Sequence, residues 1–146
     1  MDVSVEILLV EDNPDELELT ILALKESRLR NPLHVVRDGA EALEFLFAEG
    51  RYAHRAGHPA LKLVLLDLKL PLLDGIEVLR RVKADDRTKH VPVVVLTSSR
   101  EESDLVATYD LGANSYIVKP VDIEQFVAAI GEIGLYWMVL NERPHR

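Results

Sequence analysis

Acidic, hydroxyl and lysine side chains stand immediately after the apolar runs of this sequence. Uncharged runs of four to eight residues, closed by turn signals, are typical of buried strands in a parallel sheet. The carboxyl ends of such strands form the edge at which open α/β sheets bind ligands. We therefore expect the side chains that follow these runs to converge on one crevice. They are Glu11, Asp12, Asp67, Thr97 and Lys119.

These residue types suit phosphoryl transfer assisted by a divalent metal ion. Three carboxylates packed together repel one another unless a cation occupies the cluster or some of their pKa values rise. Mg²⁺ prefers carboxylate oxygens and commonly recruits phosphate oxygens as well. Asp67 could be a nucleophile that forms an aspartyl phosphate, while Lys119 and Thr97 bind the phosphoryl oxygens. Each residue alone could equally be a helix cap, a helix-dipole charge or a surface lysine, so the hypothesis depends on their joint occurrence.

The elements that must position these side chains alternate along the chain. Strands are predicted at 5–10, 33–36, 61–66, 91–96 and 115–118, and helices at about 14–27, 39–50, 75–84, 101–111 and 122–140. Five strand–helix alternations predict an α/β fold, a doubly wound parallel sheet with five helices. Right-handed crossovers favour the flavodoxin-like strand order 2-1-3-4-5.

Helix ends and packing give further expectations. Asn13 and Pro14 suit the start of the first helix. Glu16 and Gln125 are each placed to close a capping box at the start of their helices. From the second helix, three apolar side chains are expected to face the core, namely Leu43, Leu46 and Phe47.

The stretch 50–59 is rich in glycine, histidine and arginine, and we interpret it as a solvated loop. His54 and His58 are four residues apart, a spacing that could bind a metal ion on a helix. The nearby glycine and proline disfavour a helix, and no third ligand accompanies the two histidines. The sequence therefore favours a loop over a metal site here.

Length and composition indicate one globular domain, 1–146, with a core of about 5–140. The chain has 146 residues, of which 48% are hydrophobic and 29% charged. Its formal net charge of −8 disfavours nucleic-acid binding, and the absence of cysteine excludes disulfides and thiolate metal sites. No run suits a signal peptide or a membrane span. We expect a cytoplasmic protein without a nucleic-acid or membrane partner, and with no output segment beyond this domain.

Four motifs make the sequence similar to the receiver domains of two-component response regulators. The spacings of thirty residues from Asp67 to Thr97 and twenty-two from Thr97 to Lys119 also fit that family. The resemblance extends over about 5–140. The motifs are LLVEDNPDE at 8–16, LLDLKLPLLDG at 65–75, VVVLTSS at 93–99 and GANSYIVKP at 112–120.

The resemblance implies a phospho-acceptor and a metal cofactor. Asp67 would take a phosphoryl group from a sensor histidine kinase. Mg²⁺ would be bound by Asp12, Asp67 and the backbone carbonyl of Lys69, with Glu11 acting through water. The protein would then be no turnover enzyme, but a phospho-acceptor with self-catalysed phosphotransfer and autodephosphorylation. We further hypothesise that the Lys69 cation helps to hold the phosphoryl group.

The resemblance also implies a switch. Thr97 and Lys119 would bind the phosphoryl oxygens. Tyr116 matches the aromatic switch position of the family, whose ring turns inward when the threonine moves; a rim aromatic on an edge strand is the alternative. The Lys119–Pro120 peptide bond is expected to be cis, as is usual in the family.

More narrowly, the chain resembles the small single-domain regulators found beside bacterial phytochrome kinases. The extra stretch 50–59 and the ending IGLYWMVLNERP at 133–144 carry this resemblance, so a bacteriophytochrome-type kinase is the expected partner. The ending is uncharged on every side of a helix from 133 to 140, which suggests an exposed apolar patch. We predict a homodimer through the face made by the fourth helix, fifth strand and last helix; a tail folded back on its own domain is the alternative. The predicted interface residues are Leu135, Tyr136, Trp137 and Met138.

Three other functions are compatible with the fold class. A phosphohydrolase of the haloacid-dehalogenase type places a second aspartate two residues after its nucleophile, where this chain has Lys69. A flavin-binding flavodoxin needs a phosphate-cradling loop after the first strand, where Glu11 and Asp12 would repel a phosphate. A phosphorylation-independent receiver scaffold normally lacks one of the five site residues, and all are present here.

Overall fold

The computed structural model describes residues 5–26, 31–57, 61–98 and 108–132. Its five strands form one parallel sheet of order β2-β1-β3-β4-β5, as predicted. The strands are β1 (Val5–Val10), β2 (Leu33–Val36), β3 (Leu61–Asp67), β4 (Val93–Thr97) and β5 (Ser115–Val118). The helices are α1 (Pro14–Glu26), α2 (Gly39–Phe47), α3 (Gly75–Ala84), α4, described at 108–110, and α5 (Ile123–Glu132). None of the described helices is long and apolar enough to cross a bilayer.

The sheet separates two apolar cores, because successive side chains of a strand point to opposite faces. On β1, Ile7 and Leu9 pack in one core with α1 and α5, while Leu8 and Val10 pack in the other with α2 and α3. Both cores are built mainly from fully buried leucine, isoleucine and valine. The fold is therefore the expected doubly wound α/β arrangement with helices on both faces.

The strand register brings the predicted site residues to one edge. Val10 pairs with Leu66, so the residues that follow β1 lie beside the end of β3. Asp67 pairs with Leu96, immediately before Thr97. At the next strand Thr97 pairs with Val118, immediately before the lysine that follows β5. Glu11, Asp12, Asp67, Thr97 and Lys119 thus lie at the carboxyl edge of the sheet.

The predicted inward face of α2 is partly wrong. Leu46 is buried and Leu43 packs against the same core, as predicted, whereas Phe47 is partly exposed and Ala42 and Phe45 are buried instead. The helix begins at Gly39, after the Asp38 cap, and its buried stripe then recurs at three- and four-residue spacing. Because the first members of that stripe are small, the pattern of large apolar residues does not reveal its phase.

The interpretation of 50–59 as a solvated loop is also partly wrong. A 3₁₀ helix spans Gly50–Arg55. Its Tyr52 ring meets the Phe45 ring edge-on at 5.1 Å, and the Arg55 side chain is only 11% exposed. Contacts with α2 and β1, invisible to local sequence patterns, hold this segment on the domain. His54 is exposed, and His58 lies outside the described residues.

The helix starts are as expected, but the two capping boxes are not. Asn13 Oδ1 accepts hydrogen bonds from the backbone N–H groups of Asp15 and Glu16, at 2.9 and 3.0 Å. The Gln125 amide binds the backbone of Val118 instead of closing a box, since Nε2 donates to the carbonyl and Oε1 accepts from N–H. The Glu16 carboxylate turns toward a lysine, which is described below.

Candidate functional site

Asp67 lies at the end of β3 and is 4% exposed. Its Oδ1 accepts a hydrogen bond from the Lys69 backbone N–H at 3.1 Å, and its Oδ2 lies 3.1 Å from Lys119 Nζ. The start of α3 packs closely behind it, because a Cβ added to Gly75 would meet the Asp67 carbonyl oxygen at 2.3 Å. The carboxylate is therefore fixed by the backbone on one side and by a cation on the other.

Lys119 follows β5, and its backbone N–H donates to the Thr97 carbonyl at 2.8 Å. The predicted cis peptide bond to Pro120 is confirmed. The ammonium lies 2.8 Å from Glu11 Oε1 and 2.6 Å from Glu16 Oε2, in addition to its contact with Asp67. Burial opposes the charged form, but the surrounding carboxylates hold the pKa of Lys119 above its usual range. The lysine is thus a charged, buried group at the centre of the crevice.

Glu11, Asp12 and Asp67 form an acidic cluster, and their nearest ligand atoms lie within 4.8 Å of one another. Glu11 is fully buried and Asp12 is exposed. Burial raises the pKa of Glu11 to about 7; the Asp67 carboxylate adds to this rise and Lys119 opposes it. Within the described ranges this is the one cluster of three or more potential metal ligands.

The cluster fits a hard divalent cation. Glu11 Oε1 is buried and accepts no hydrogen bond, since its 2.8 Å approach to Lys119 Nζ is an ion-pair contact outside hydrogen-bond geometry. A buried carboxylate oxygen without a donor is costly, and metal coordination would relieve that cost. The donor set therefore consists of carboxylate oxygens, one of which has the ion pair with Lys119 but no hydrogen bond.

The hydroxyl and the aromatic residue of the prediction lie on neighbouring strands. Thr97 ends β4 and is buried. Tyr116 is 37% exposed, and its ring meets that of Tyr109 edge-on at a centroid distance of 6.0 Å. Tyr116 therefore points outward, as a rim aromatic does. The predicted interface residues Leu135, Tyr136, Trp137 and Met138 lie outside the described residues.

Sequence reasoning missed Glu16. At the third position of α1 it matched a capping box, yet its carboxylate accepts a hydrogen bond from Lys119 Nζ. The available signal was positional: α1 begins right after Glu11 and Asp12, so its first turn must lie above the same crevice.

Comparison with known proteins defines the class. The response regulator receiver domain matches residues 7–131, so the chain belongs to the response-regulator receiver family of two-component systems. The response regulator Rcp1 of Synechocystis sp. is 39% identical over 132 residues, which cover 90% of this chain and 88% of Rcp1. The probable methanogenesis regulatory protein FilR2 of Methanothrix harundinacea is 38% identical over 94% of this chain and 86% of its own.

Solved structures place the chain near the phytochrome-associated regulators of that family. The bacteriophytochrome response regulator AtBRR is 54% identical, with a TM-score of 0.83, covering 97% of this chain and all of that one. The Mn²⁺-bound form of Rcp1 is 37% identical, with a TM-score of 0.73 and coverages of 97% and 99%. The phosphorylated cyanobacterial phytochrome response regulator RcpA is 40% identical, with a TM-score of 0.73 and coverages of 93% and 94%.

Proposed function

We propose that Asp67 accepts a phosphoryl group from a histidine kinase in a Mg²⁺-dependent reaction. The observation that carries the proposal is the buried Asp67 carboxylate, 3.1 Å from Lys119 Nζ and grouped with two further carboxylates. The phosphorylated state of the relative RcpA supports it. An anionic nucleophile beside a fixed cation is what phosphoryl transfer requires, since catalysis there is mostly positioning and charge stabilisation.

In the proposed transfer, one Asp67 carboxylate oxygen attacks the phosphorus of a phosphohistidine. A P–O bond forms while the P–N bond breaks, and the electron pair of that bond stays on the imidazole nitrogen. Lys119 then pairs with a phosphoryl oxygen, and the Thr97 hydroxyl donates to another. Hydrolysis of the acyl phosphate by water would return Asp67 to its carboxylate, so the chain would reset itself without turning over a separate substrate.

The residues proposed to hold Mg²⁺ are Glu11, Asp12, Asp67 and the backbone carbonyl of Lys69. When bound, the ion would neutralise charge on the transferring phosphoryl oxygens. Asp12 is exposed, so the cluster opens to solvent on that side. The Mn²⁺-bound form of the relative Rcp1 supports the binding of a divalent ion.

The test is chemical modification of the whole chain. Incubation with Mg²⁺ and acetyl phosphate should add one phosphoryl group, which mass spectrometry should locate on Asp67. Asp67→Asn should abolish the labelling, and chelation of Mg²⁺ should do the same for the unchanged chain. Labelling retained by Asp67→Asn would refute the assignment of the acceptor.

Lys69 is proposed to help hold the phosphoryl group. Its backbone N–H is already committed to Asp67, while its side chain is exposed beside the acceptor and free to swing toward it. Lys69→Ala should shorten the lifetime of the aspartyl phosphate, with the equally exposed Lys89→Ala as control. Equal lifetimes in Lys69→Ala and the unchanged chain would remove this role.

Output is proposed to run through partner or dimer contacts, with a bacteriophytochrome-type kinase upstream and a cytoplasmic location. The names of the relatives AtBRR and RtBRR, both above 50% identity, support the choice of kinase. The exposed pair of Tyr109 and Tyr116 supports a contact surface at α4 and β5, with Tyr116 as its switch.

Replacing Leu135 and Met138 by serine in the full chain should lower the mass in solution to that of a monomer. An unchanged oligomer would exclude these residues from the interface.

A further inference from the structure

We propose that Glu16 is a positioning residue that restrains Lys119 in the unphosphorylated protein and competes with the phosphoryl group for it. The proposal rests on the function proposed above for Asp67. It concerns a residue outside the acidic cluster, on the first turn of α1. Its consequence is that Glu16 sets how strongly the site holds a phosphoryl group.

The contact is direct. Glu16 Oε2 accepts a hydrogen bond from Lys119 Nζ at 2.6 Å, shorter than the distances from Nζ to Glu11 (2.8 Å) and Asp67 (3.1 Å). The Glu16 side chain is 40% exposed, whereas those of Glu11 and Asp67 are buried. Glu16 is thus the solvent-facing partner of a lysine whose other partners lie inside the site.

The ammonium group has three N–H donors and no more. In this structure three carboxylates lie within 3.1 Å of it, and of these Glu16 accepts a hydrogen bond, so a phosphoryl oxygen that approaches the ammonium competes with Glu16 for its charge and its donors. Phosphorylation turns the Asp67 carboxylate into a weaker acceptor, and Glu16 remains as a full negative charge beside the ammonium. Glu16 therefore competes with the phosphoryl oxygens for Lys119.

Charge acts in the same direction. Conversion of a carboxylate into an acyl phosphate adds about one unit of negative charge at neutral pH. The crevice already holds Glu11, Asp12, Asp67 and Glu16 around one lysine. Neutralising Glu16 lowers the repulsion of the added charge, while Glu11 and Asp67 still keep Lys119 in the site.

The structure leaves space for the Glu16 carboxylate to move away. An open pocket of about 200 Å³ adjoins the Glu16–Lys119 contact. The carboxylate could turn into this pocket, toward solvent, without displacing the core. The other lining residues are Leu19, Thr20, Ser98, Pro120 and Val121.

The experiment measures the affinity for beryllofluoride, a phosphoryl analogue, by ¹⁹F NMR at saturating Mg²⁺. Glu16→Gln removes the charge at constant shape, and Glu16→Asp keeps the charge but withdraws the carboxylate by one methylene. Glu18→Gln removes the same charge from an exposed site on the same helix and is the control. We expect both Glu16 variants to bind roughly two- to five-fold more tightly, the range for a half-exposed ion pair, and Glu18→Gln to match the unchanged chain.

The outcomes separate this proposal from the one on which it rests. Failure of the unchanged chain to bind beryllofluoride, or binding retained by Asp67→Asn, would contradict Asp67 as acceptor. Normal binding by the unchanged chain with no gain in Glu16→Gln would overturn the role of Glu16 alone. A gain in Glu16→Gln without one in Glu16→Asp would mean that overall charge acts rather than the contact, and would also overturn it. Circular dichroism of each variant checks that the fold is kept.

Discussion

One buried glutamate lies near the start of β1 and another directly follows its end, and the two have opposite electrostatic surroundings. Near the amino end, Glu6 faces Arg55 and His34, so one carboxylate meets a permanent cation and an imidazole. After the carboxyl end, Glu11 shares Lys119 with other carboxylates. A buried charge with a matched partner is a structural feature, whereas an excess of like charges is costly and indicates a site that takes up another cation.

Aromatic rings also pack around the amino-end cluster. The Arg55 guanidinium lies 4.4 Å from the centroid of the Phe45 ring, and the His34 ring lies 5.0 Å from it on another side. Tyr52 donates to Glu41 at 2.7 Å, and this hydrogen bond, together with burial, raises the pKa of Tyr52 to about 12. These contacts hold the 3₁₀ helix against β1 and α2, so the cluster stabilises the extra segment.

The largest expected effect comes from removing the Arg55 cation beside Glu6. Arg55→Met keeps an aliphatic side chain beside Phe45 but removes the guanidinium from the buried Glu6, and should lower the free energy of unfolding by about 3 kcal/mol. Chemical denaturation would measure the loss. Arg51→Met, which removes the exposed partner of Glu44, is the matched control and should cost far less. Equal losses in the two variants would show that the Glu6 cluster is no more stabilising than a surface pair.

The carboxyl-end cluster could be predicted from the sequence, whereas the amino-end cluster could not. Asp67, Thr97 and Lys119 could be placed because each ends an apolar run, and parallel strands bring such ends together. The pairing of Glu6 with Arg55 could not be placed, since the two are 49 residues apart and neither stands at a strand end. Local sequence patterns show which residues lie at an edge of the sheet. They do not show which buried charges from distant parts of the sequence come into contact.

Glu16 shows a second limit of prediction. Its position three residues after Asn13 fits a capping box, and the Asn13 half of that cap does form. The carboxylate instead takes the cation, because a charge-assisted hydrogen bond is stronger than one to a neutral backbone N–H. A local rule thus gave the correct helix start and the wrong side-chain partner, at the residue where the helix meets the site.

The second prediction concerns the addition of Mg²⁺ to the cluster of Glu11, Asp12 and Asp67. Mg²⁺ should raise the free energy of unfolding by about 2.7 kcal/mol at one hundred times its dissociation constant, because the proposed site exists only in the folded state. Thermal or chemical unfolding with and without Mg²⁺ would measure this gain. Arg55→Met should gain as much as the unchanged chain, and Asp67→Asn should gain less. A gain reproduced by KCl at equal ionic strength would indicate screening and contradict a specific site.

Removal of the Glu11 charge is expected to have a smaller effect than Arg55→Met, and of the opposite sign. Without divalent ions, Glu11→Gln should raise the free energy of unfolding by about 1 kcal/mol, since it removes a buried charge next to Asp67. With Mg²⁺ present the order should reverse, because the variant loses a ligand. Denaturation of both proteins in chelator and in Mg²⁺ would test this. A loss of stability in chelator would mean that the pairing of Glu11 with Lys119 outweighs the repulsion between the carboxylates.

The smallest expected effect concerns backbone strain at two residues with positive φ. Among the described residues, two non-glycine residues have positive φ, Ala48 at 53° and Leu72 at 67°. Ala48 caps α2, and its N–H bonds to carbonyls of that helix, so its conformation is compensated locally. Leu72 follows Asp67 by five residues and is 85% exposed, so little packing offsets its strain. Leu72→Asn should therefore raise the free energy of unfolding by up to about 1 kcal/mol, because asparagine tolerates the left-handed region better than leucine does.

Leu19→Asn is the control: that leucine is also exposed but lies within α1, where asparagine is the poorer helix former and should lower stability. Both changes would be measured by chemical denaturation in chelator, and a loss of stability in Leu72→Asn would mean that the leucine contributes contacts that outweigh its backbone strain.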